Sequence, residues 1–152
     1  PNSKNESKEV ARIQLTSSPE LTQLFYETDW SVANAFHRIL KDESLSTLKQ
    51  KILHPKVLFP IVFFKYGINR ARPWQVNKSI KKLPSTTAMT PSFPAGHAFQ
   101  AYYLAKYYSK KYPELENKLW DLARKCDECR IAAGLHYPSD GKFSLKLVNM
   151  LY

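Results

Sequence analysis

Residues 94–112, Pro94-Ala-Gly-His97-Ala-Phe-Gln-Ala-Tyr-Tyr-Leu-Ala-Lys-Tyr-Tyr-Ser-Lys-Lys-Tyr112, decide the fold. From Gly96 onward the stretch is free of breakers, and Phe99, Tyr102, Tyr103, Tyr107 and Tyr108 recur at helical spacing, which splits them between a buried and an exposed face. The interleaved Lys106 and Lys110 would also suit a stacking platform for nucleic acid. No recognised binding motif accompanies them, so a nucleic-acid role is not expected. With Pro94-Ala95-Gly96-His97 at the start of this helix, its first backbone N–H groups are unbonded and face whatever anion lies there.

The flanking sequence extends the same period. Upstream, Ser18-Pro19-Glu20 reads as an N-cap, a first-turn proline and a first-turn acid. Leu21, Leu24 and Phe25, then Val32, Ala35, Phe36, Ile39 and Leu40, follow helical spacing with a break near Asp29 and Ser31. Ser44 to Leu53 forms another helix, stopped at His54-Pro55. The apolar stretch Lys56 to Tyr66 ends at Gly67 and delivers Lys65. Residues 69–93 lack periodicity and read as a loop with short helical pieces, a setting that often carries function. Downstream, Pro113 to Ala133 is helical with Leu115, Leu119, Leu122 and Ala123 as a core stripe, and Gly134 loosens the chain ahead of His136. Strand patterns and repeats are absent. The expected architecture is all-α: a compact single-domain helical bundle over residues 17–152 with its active site at helix ends and loops, preceded by a flexible polar segment, residues 1–16.

At 152 residues one domain suffices, and the formal net charge of +10 suits a nucleic acid, an acidic membrane surface or an anionic small substrate. The longest apolar run, Val57 to Phe64, is interrupted by Pro60 and falls far short of the ~20 residues that span a bilayer. No transmembrane segment is expected. The polar residues 1–10 offer no signal segment, which points to a soluble, cytoplasmic protein. Cys126 and Cys129 are spaced Cys-x-x-Cys, but a zinc site wants four ligands, so both read as reduced packing thiols. His37 and His54 stand outside any motif and read as structural or surface residues, and Asp127 and Glu128 as solvated.

Three short segments converge on one chemistry: Lys65-x6-Arg72-Pro73, Pro94-Ala95-Gly96-His97, and Arg130-x5-His136-x3-Asp140. They supply three fixed cations, two imidazoles and one carboxylate. A phosphoryl group carries about two negative charges near neutral pH, and forked arginine donors bind its oxygens in pairs. The four-residue step from His136 to Asp140 would let the carboxylate hold one ring nitrogen and leave the other free to act. The implied partner is an anionic, phosphorylated small-molecule substrate. Lys78, Lys81 and Lys82 could form a basic entrance suited to substrates with more than one phosphate.

The order and spacing of these residues resemble the type 2 phosphatidic acid phosphatase superfamily, which includes soluble acid phosphatases and vanadium haloperoxidases. Its pattern, Lys-x6-Arg-Pro, Pro-Ser-Gly-His and Ser-Arg-x5-His-x3-Asp, is met at nine of eleven positions, with Ala95 and Cys129 where serine is usual. The resemblance implies the same helical fold and a metal-independent phosphatase acting through a phosphohistidine. His136 would be the nucleophile, Asp140 its orienting carboxylate and His97 the general acid. Lys65, Arg72, Arg130 and the Gly96 N–H would bind the phosphate oxygens. No metal or other cofactor is expected, and vanadate should inhibit. Alternatives are a vanadate-dependent haloperoxidase, with vanadate as cofactor on His136, and a catalytically impaired binder of phosphate ligands, for which Ala95 is the support.

Overall fold

A computed structural model describes residues 2–152. Among them the chain forms nine α-helices, a single 3-10 turn at Pro113–Leu115, and no strand. In chain order the helices are α1 Ser3–Leu15, α2 Pro19–Thr28, α3 Ala33–Ile39, α4 Leu45–Leu53, α5 Pro55–Ile68, α6 Pro73–Val76, α7 Gly96–Lys111, α8 Glu116–Ala132 and α9 Pro138–Leu151. The all-α expectation is met.

Helix α7 is the axis of the bundle. It buries Ala98, Phe99, Ala101, Tyr102, Tyr103, Leu104, Ala105 and Tyr108, nearly two faces of the helix, while Tyr107 stays partly exposed. Its widest packing is against α8, with α9, α4 and α5 on its other sides. Small residues at 98, 101 and 105 let these neighbours approach closely, and the aromatic rings fill the remaining space. Each side chain of this size contributes about 1.5–3 kcal/mol on burial. Helix α8 presents Leu119, Leu122, Ala123, Cys126 and Cys129 to the same core. Both cysteines are buried and unbridged, and burial pushes the Cys129 thiol up to about 12.

The local signals explain most element ends. Ser44 caps α4 by accepting from Thr47 N at 3.1 Å, and Pro19 and Pro55 occupy first turns, where no N–H is required. Helix α5 runs past Gly67 and stops at Asn69, whose φ of 49° is the left-handed conformation that asparagine tolerates. The chain breaks over residues 29–32, near the expected Asp29 and Ser31.

Two expectations are corrected. Residues 3–15 are a packed helix rather than a loose segment: Val10 is fully buried against Ile80, Ile131 and Tyr137. The polar side chains that suggested looseness are the attachments. Glu6 receives Arg70 Nη2 at 3.1 Å and Ser139 N at 3.1 Å, and the Gln14 amide bridges the backbone of Lys81 and Ala132. Asp127 is likewise buried rather than solvated. Tyr102 donates to its Oδ2 at 3.0 Å, while Oδ1 has no partner. Helix α9 approaches it so closely that a Cβ on Gly141 would stand 1.9 Å from Oδ2. Burial pushes the Asp127 carboxyl up to about 7.

A buried carboxyl whose folded value lies above its unfolded one contributes stability that is complete below about pH 4 and is lost as pH rises through 7. Asp127→Asn, which keeps an acceptor for Tyr102, should therefore leave stability unchanged at pH 4 and raise it by roughly 1–3 kcal/mol at pH 8. Urea melts of both proteins across that range check the divergence; parallel curves would show that Asp127 stays charged throughout.

Candidate active site

The side chains named by the three segments meet beneath the start of α7. Lys65 arrives on the last turn of α5, Arg72 on the turn before α6, and Arg130 on the last turn of α8. Ala133 to Tyr137 then leave the helix, and Pro138 at the first position of α9 starts the next one, so His136 lies in the corner between them. Asp140 is in the first turn of α9, where its Oδ2 accepts from Tyr137 N at 2.9 Å. Gly96 opens α7 beside Lys65: a Cβ there would lie 3.8 Å from Lys65 Cε. Ala95 at the cap offers no side-chain acceptor, so the first amides of this 16-residue helix stay available to an anion.

Lys65, Arg72, Arg130, His136 and Asp140 are all buried, the last two at 2% and 0% exposure, and His97 is partly buried. Burying cations costs solvation that a nearby anion must offset. Asp29 does so for Arg130, but Lys65 and Arg72 have no carboxylate within ion-pair distance among the described residues, and the cations repel one another. Burial, then the Arg72 and Arg130 charges, bring Lys65 down to about 7, and burial with Arg130 lowers Arg72 to about 10.

Several strong donors remain without a partner. Arg130 Nε is buried and unbonded. Lys65 donates one proton, to Pro91 O at 2.5 Å, and Arg72 donates through Nε to Thr90 O at 2.8 Å and through Nη1 to Leu135 O at 2.9 Å. Each therefore keeps N–H groups in reserve. Unpaired buried donors on clustered cations make an anion site.

His136 sits between cation and carboxylate. Its Nε2 lies 3.4 Å from Arg72 Nη1, a donor, which places the ring's lone pair at Nε2 and its proton at Nδ1. Nδ1 lies 3.5 Å from Asp140 Oδ2, close enough for charge coupling but longer than an aligned hydrogen bond. The reason is competition: Asp140 already accepts from Arg70 Nη1 at 2.5 Å, Ser92 Oγ at 2.5 Å and Tyr137 N. Although burial pushes the Asp140 carboxyl up, His136, Ser92 and the Tyr137 N–H hold it below its usual range. Burial, reinforced by Arg72 and Lys65, lowers His136 to about 3, so the ring is neutral at pH 7. A neutral imidazole whose lone pair lies among cations has the protonation state that nucleophilic attack on an electrophile held there requires.

His97, in the first turn of α7, donates from Nε2 to the carbonyl oxygen of Asp29 at 2.9 Å, which leaves Nδ1 free to exchange a proton. Burial and the Arg130 charge lower its pKa. Asp29 was legible in the sequence only as a helix break, yet it is the second organiser of the site. Its carboxylate pairs with Arg130 Nη1 at 2.9 Å and accepts from Ser85 Oγ at 2.5 Å and Thr86 N at 2.9 Å. Despite burial, these donors bring it down to about 2. Arg70, two places before Arg72, reads from the sequence as a rival phosphate ligand or a rim or structural charge, and its pairing makes it a structural one. It is 7% exposed, lies 3.7 Å from the Tyr137 ring, and joins Glu6 to Asp140. A signal existed for both residues, a charge at a helix break and an arginine two places before Arg72, but nothing in the spacing linked them to their partners.

Comparison with curated protein sequences found no match. The sequence pattern of the PAP2 superfamily matches residues 56–147, which takes in Lys65, Arg72, Gly96, His97, Arg130, His136 and Asp140. That span covers more than half of the chain and runs from α5 into α9. The chain belongs to the PAP2 superfamily.

Proposed function

We propose that this protein is a metal-independent phosphatase that hydrolyses phosphate esters of small molecules through a phosphohistidine. Membership of the superfamily supports phosphatase-type chemistry in general. The observation that carries the finer reading is the position of His136, buried with its Nε2 3.4 Å from Arg72 Nη1 amid three buried cations at the start of α7.

In this reading Lys65, Arg72, Arg130 and the α7 amides hold the non-bridging oxygens and stabilise the charge that spreads over them in the transition state. His136 Nε2 attacks phosphorus as the ester P–O bond breaks, and the departing oxygen takes a proton from His97. The His136 ring then carries positive charge, which the nearby Asp140 stabilises. Water, giving its proton to His97, attacks the phosphohistidine, releases phosphate and restores His136. A bound dianion also counters the Arg130 field on His97, which raises its pKa toward that of a useful acid.

The direct test is hydrolysis of an aryl phosphate in excess EDTA. His136→Ala should lower turnover by about 10³-fold or more and abolish the acid-labile phosphoenzyme. His97→Ala should still form the phosphoenzyme from aryl phosphates, whose leaving groups need little protonation, while failing with alkyl phosphates. Vanadate should compete with substrate. Turnover that needs added Mg²⁺ or Zn²⁺, or that survives loss of His136, would sink this mechanism.

The pH dependence of anion binding follows from Lys65. Its folded value is lowered to about 7, and a bound anion raises it again, so affinity is complete below pH 7 and declines as pH rises above it. Sulfate, whose charge is constant in this range, should bind up to ~10-fold more weakly per pH unit above 7. Calorimetry between pH 6 and 9 reads the slope, and Lys65→Met should flatten it.

Ala95 stands where the superfamily pattern has serine, is 1% exposed and caps α7 without a side-chain bond. Ala95→Ser would add a hydroxyl donor beside the Gly96 amide. Vanadate affinity or turnover should rise, by up to ~10²-fold if the donor is fully engaged. A fall in both would show that the cavity is built around the methyl group.

A further inference from the structure

Beyond Arg72 the site continues into a groove of about 590 Å³, whose walls include Asn69, Arg72, Trp74, Lys82, Met89 and Thr90. Its volume suits a small organic ligand. Arg72 belongs to both spaces: its Nη1 lies 3.4 Å from His136 Nε2, and the residue lines the groove. No aspartate or glutamate lines it.

Three cations line it: Arg70, whose charge is paired with Glu6 and Asp140, Arg72, and Lys82. The Lys82 ammonium stands 4.1 Å from the centroid of the Trp74 ring, and among the described residues it enters no ion pair. An ammonium over an indole face is held in place while its charge stays uncancelled. The other two lysines of this stretch are disposed differently. Lys81 lines a separate cleft with Gln14 and Leu83, and Lys78 is exposed and outside the groove wall. The basic entrance read from the sequence therefore reduces to one residue. Gln75, whose Oε1 accepts from Arg72 N at 2.7 Å, fixes the turn that sets Arg72 and Trp74 apart.

We propose that the groove is the subsite for the substrate's leaving group, and that Lys82, mounted on Trp74, selects substrates whose leaving group carries a second phosphate. This rests on the phosphatase reading above. One phosphate would occupy the cations around His136, and the other would pair with Lys82 at the far side of Arg72. Organic bisphosphates and diphosphates share this chemistry and differ in the distance between the two anions.

The test uses alkane bisphosphonates of increasing chain length, with methylene diphosphonate as the shortest, against the matching alkyl monophosphonates. These probes are not hydrolysed, so calorimetry at constant ionic strength reads binding alone. The best-fitting bisphosphonate should bind about tenfold tighter than its monophosphonate, the worth of one charge-assisted hydrogen bond. A best fit at methylene diphosphonate would mark diphosphates as the substrates, and a best fit at a longer chain would mark bisphosphates. Lys82→Gln should erase the preference while leaving monophosphonate binding and aryl phosphate turnover within about twofold, and Lys78→Gln should preserve it. No preference at any chain length, or an equal loss in the Lys78 variant, would overturn the subsite. The two readings fail separately: aryl phosphate turnover without a bisphosphonate preference sinks the subsite alone, and a Lys82-dependent preference without turnover sinks the phosphatase.

Discussion

Lys65, Arg72 and Arg130 are buried within reach of one another's charge, and their repulsion is the constraint around which the rest of the molecule is arranged. Like charges taken out of water raise the free energy of the folded state on two counts, lost hydration and mutual Coulomb energy. The bundle tolerates this because each cation comes from a rigid support. Lys65 and Arg130 ride on α5 and α8, whose apolar faces pack into one core with α7. Arg72 is fixed by backbone carbonyls on both sides.

The two carboxylates that could cancel this charge are placed so that they do so only in part. Asp29 neutralises Arg130. Asp140 is committed to Arg70, which is itself shared with Glu6 from α1. With those pairs set aside, Lys65 and Arg72 remain without a carboxylate partner, two positive charges where a phosphoryl group brings about two negative ones. Arg70 thus keeps Asp140 from neutralising Lys65 and Arg72 and leaves it 3.5 Å from His136 Nδ1.

The helical framework was legible because the period of apolar residues is long and regular in α2, α3, α4, α7 and α8, where core packing and local propensity agree. That Lys65 and His97 stand near helix ends was legible because Gly67 and Pro94 punctuate the chain beside them. What escaped was set by contacts between segments far apart in sequence. Helix α1 has too few apolar residues to announce itself, and it is held by Glu6 and Gln14, whose partners lie 64 to 133 and 67 to 118 residues away. Asp29 read as a helix breaker because its service to Arg130 spans 101 residues. Asp127 read as solvated because a glycine in α9, Gly141, makes the space that buries it. In each case a polar side chain looked like surface until a distant element covered it.

The segment from Thr87 to Ser92 shows how such a site can be rigid without being quenched. Thr87 Oγ1 lies 3.3 Å from Arg130 Nη2, the carbonyls of Thr90 and Pro91 accept from Arg72 and Lys65, and Ser92 donates to Asp140. The oxygens that Thr87, Thr90 and Pro91 offer to the three cations are all neutral. A carboxylate in the same places would orient the cations equally well but would also cancel them, and an incoming phosphate would then have to displace a charge. A carbonyl or hydroxyl fixes direction through one hydrogen bond and leaves the net charge intact. The field is therefore already oriented before an anion arrives, and little reorganisation remains for the reaction itself. The long aperiodic stretch between α6 and α7 carries function in this sense: its backbone, more than its side chains, holds the cations in position.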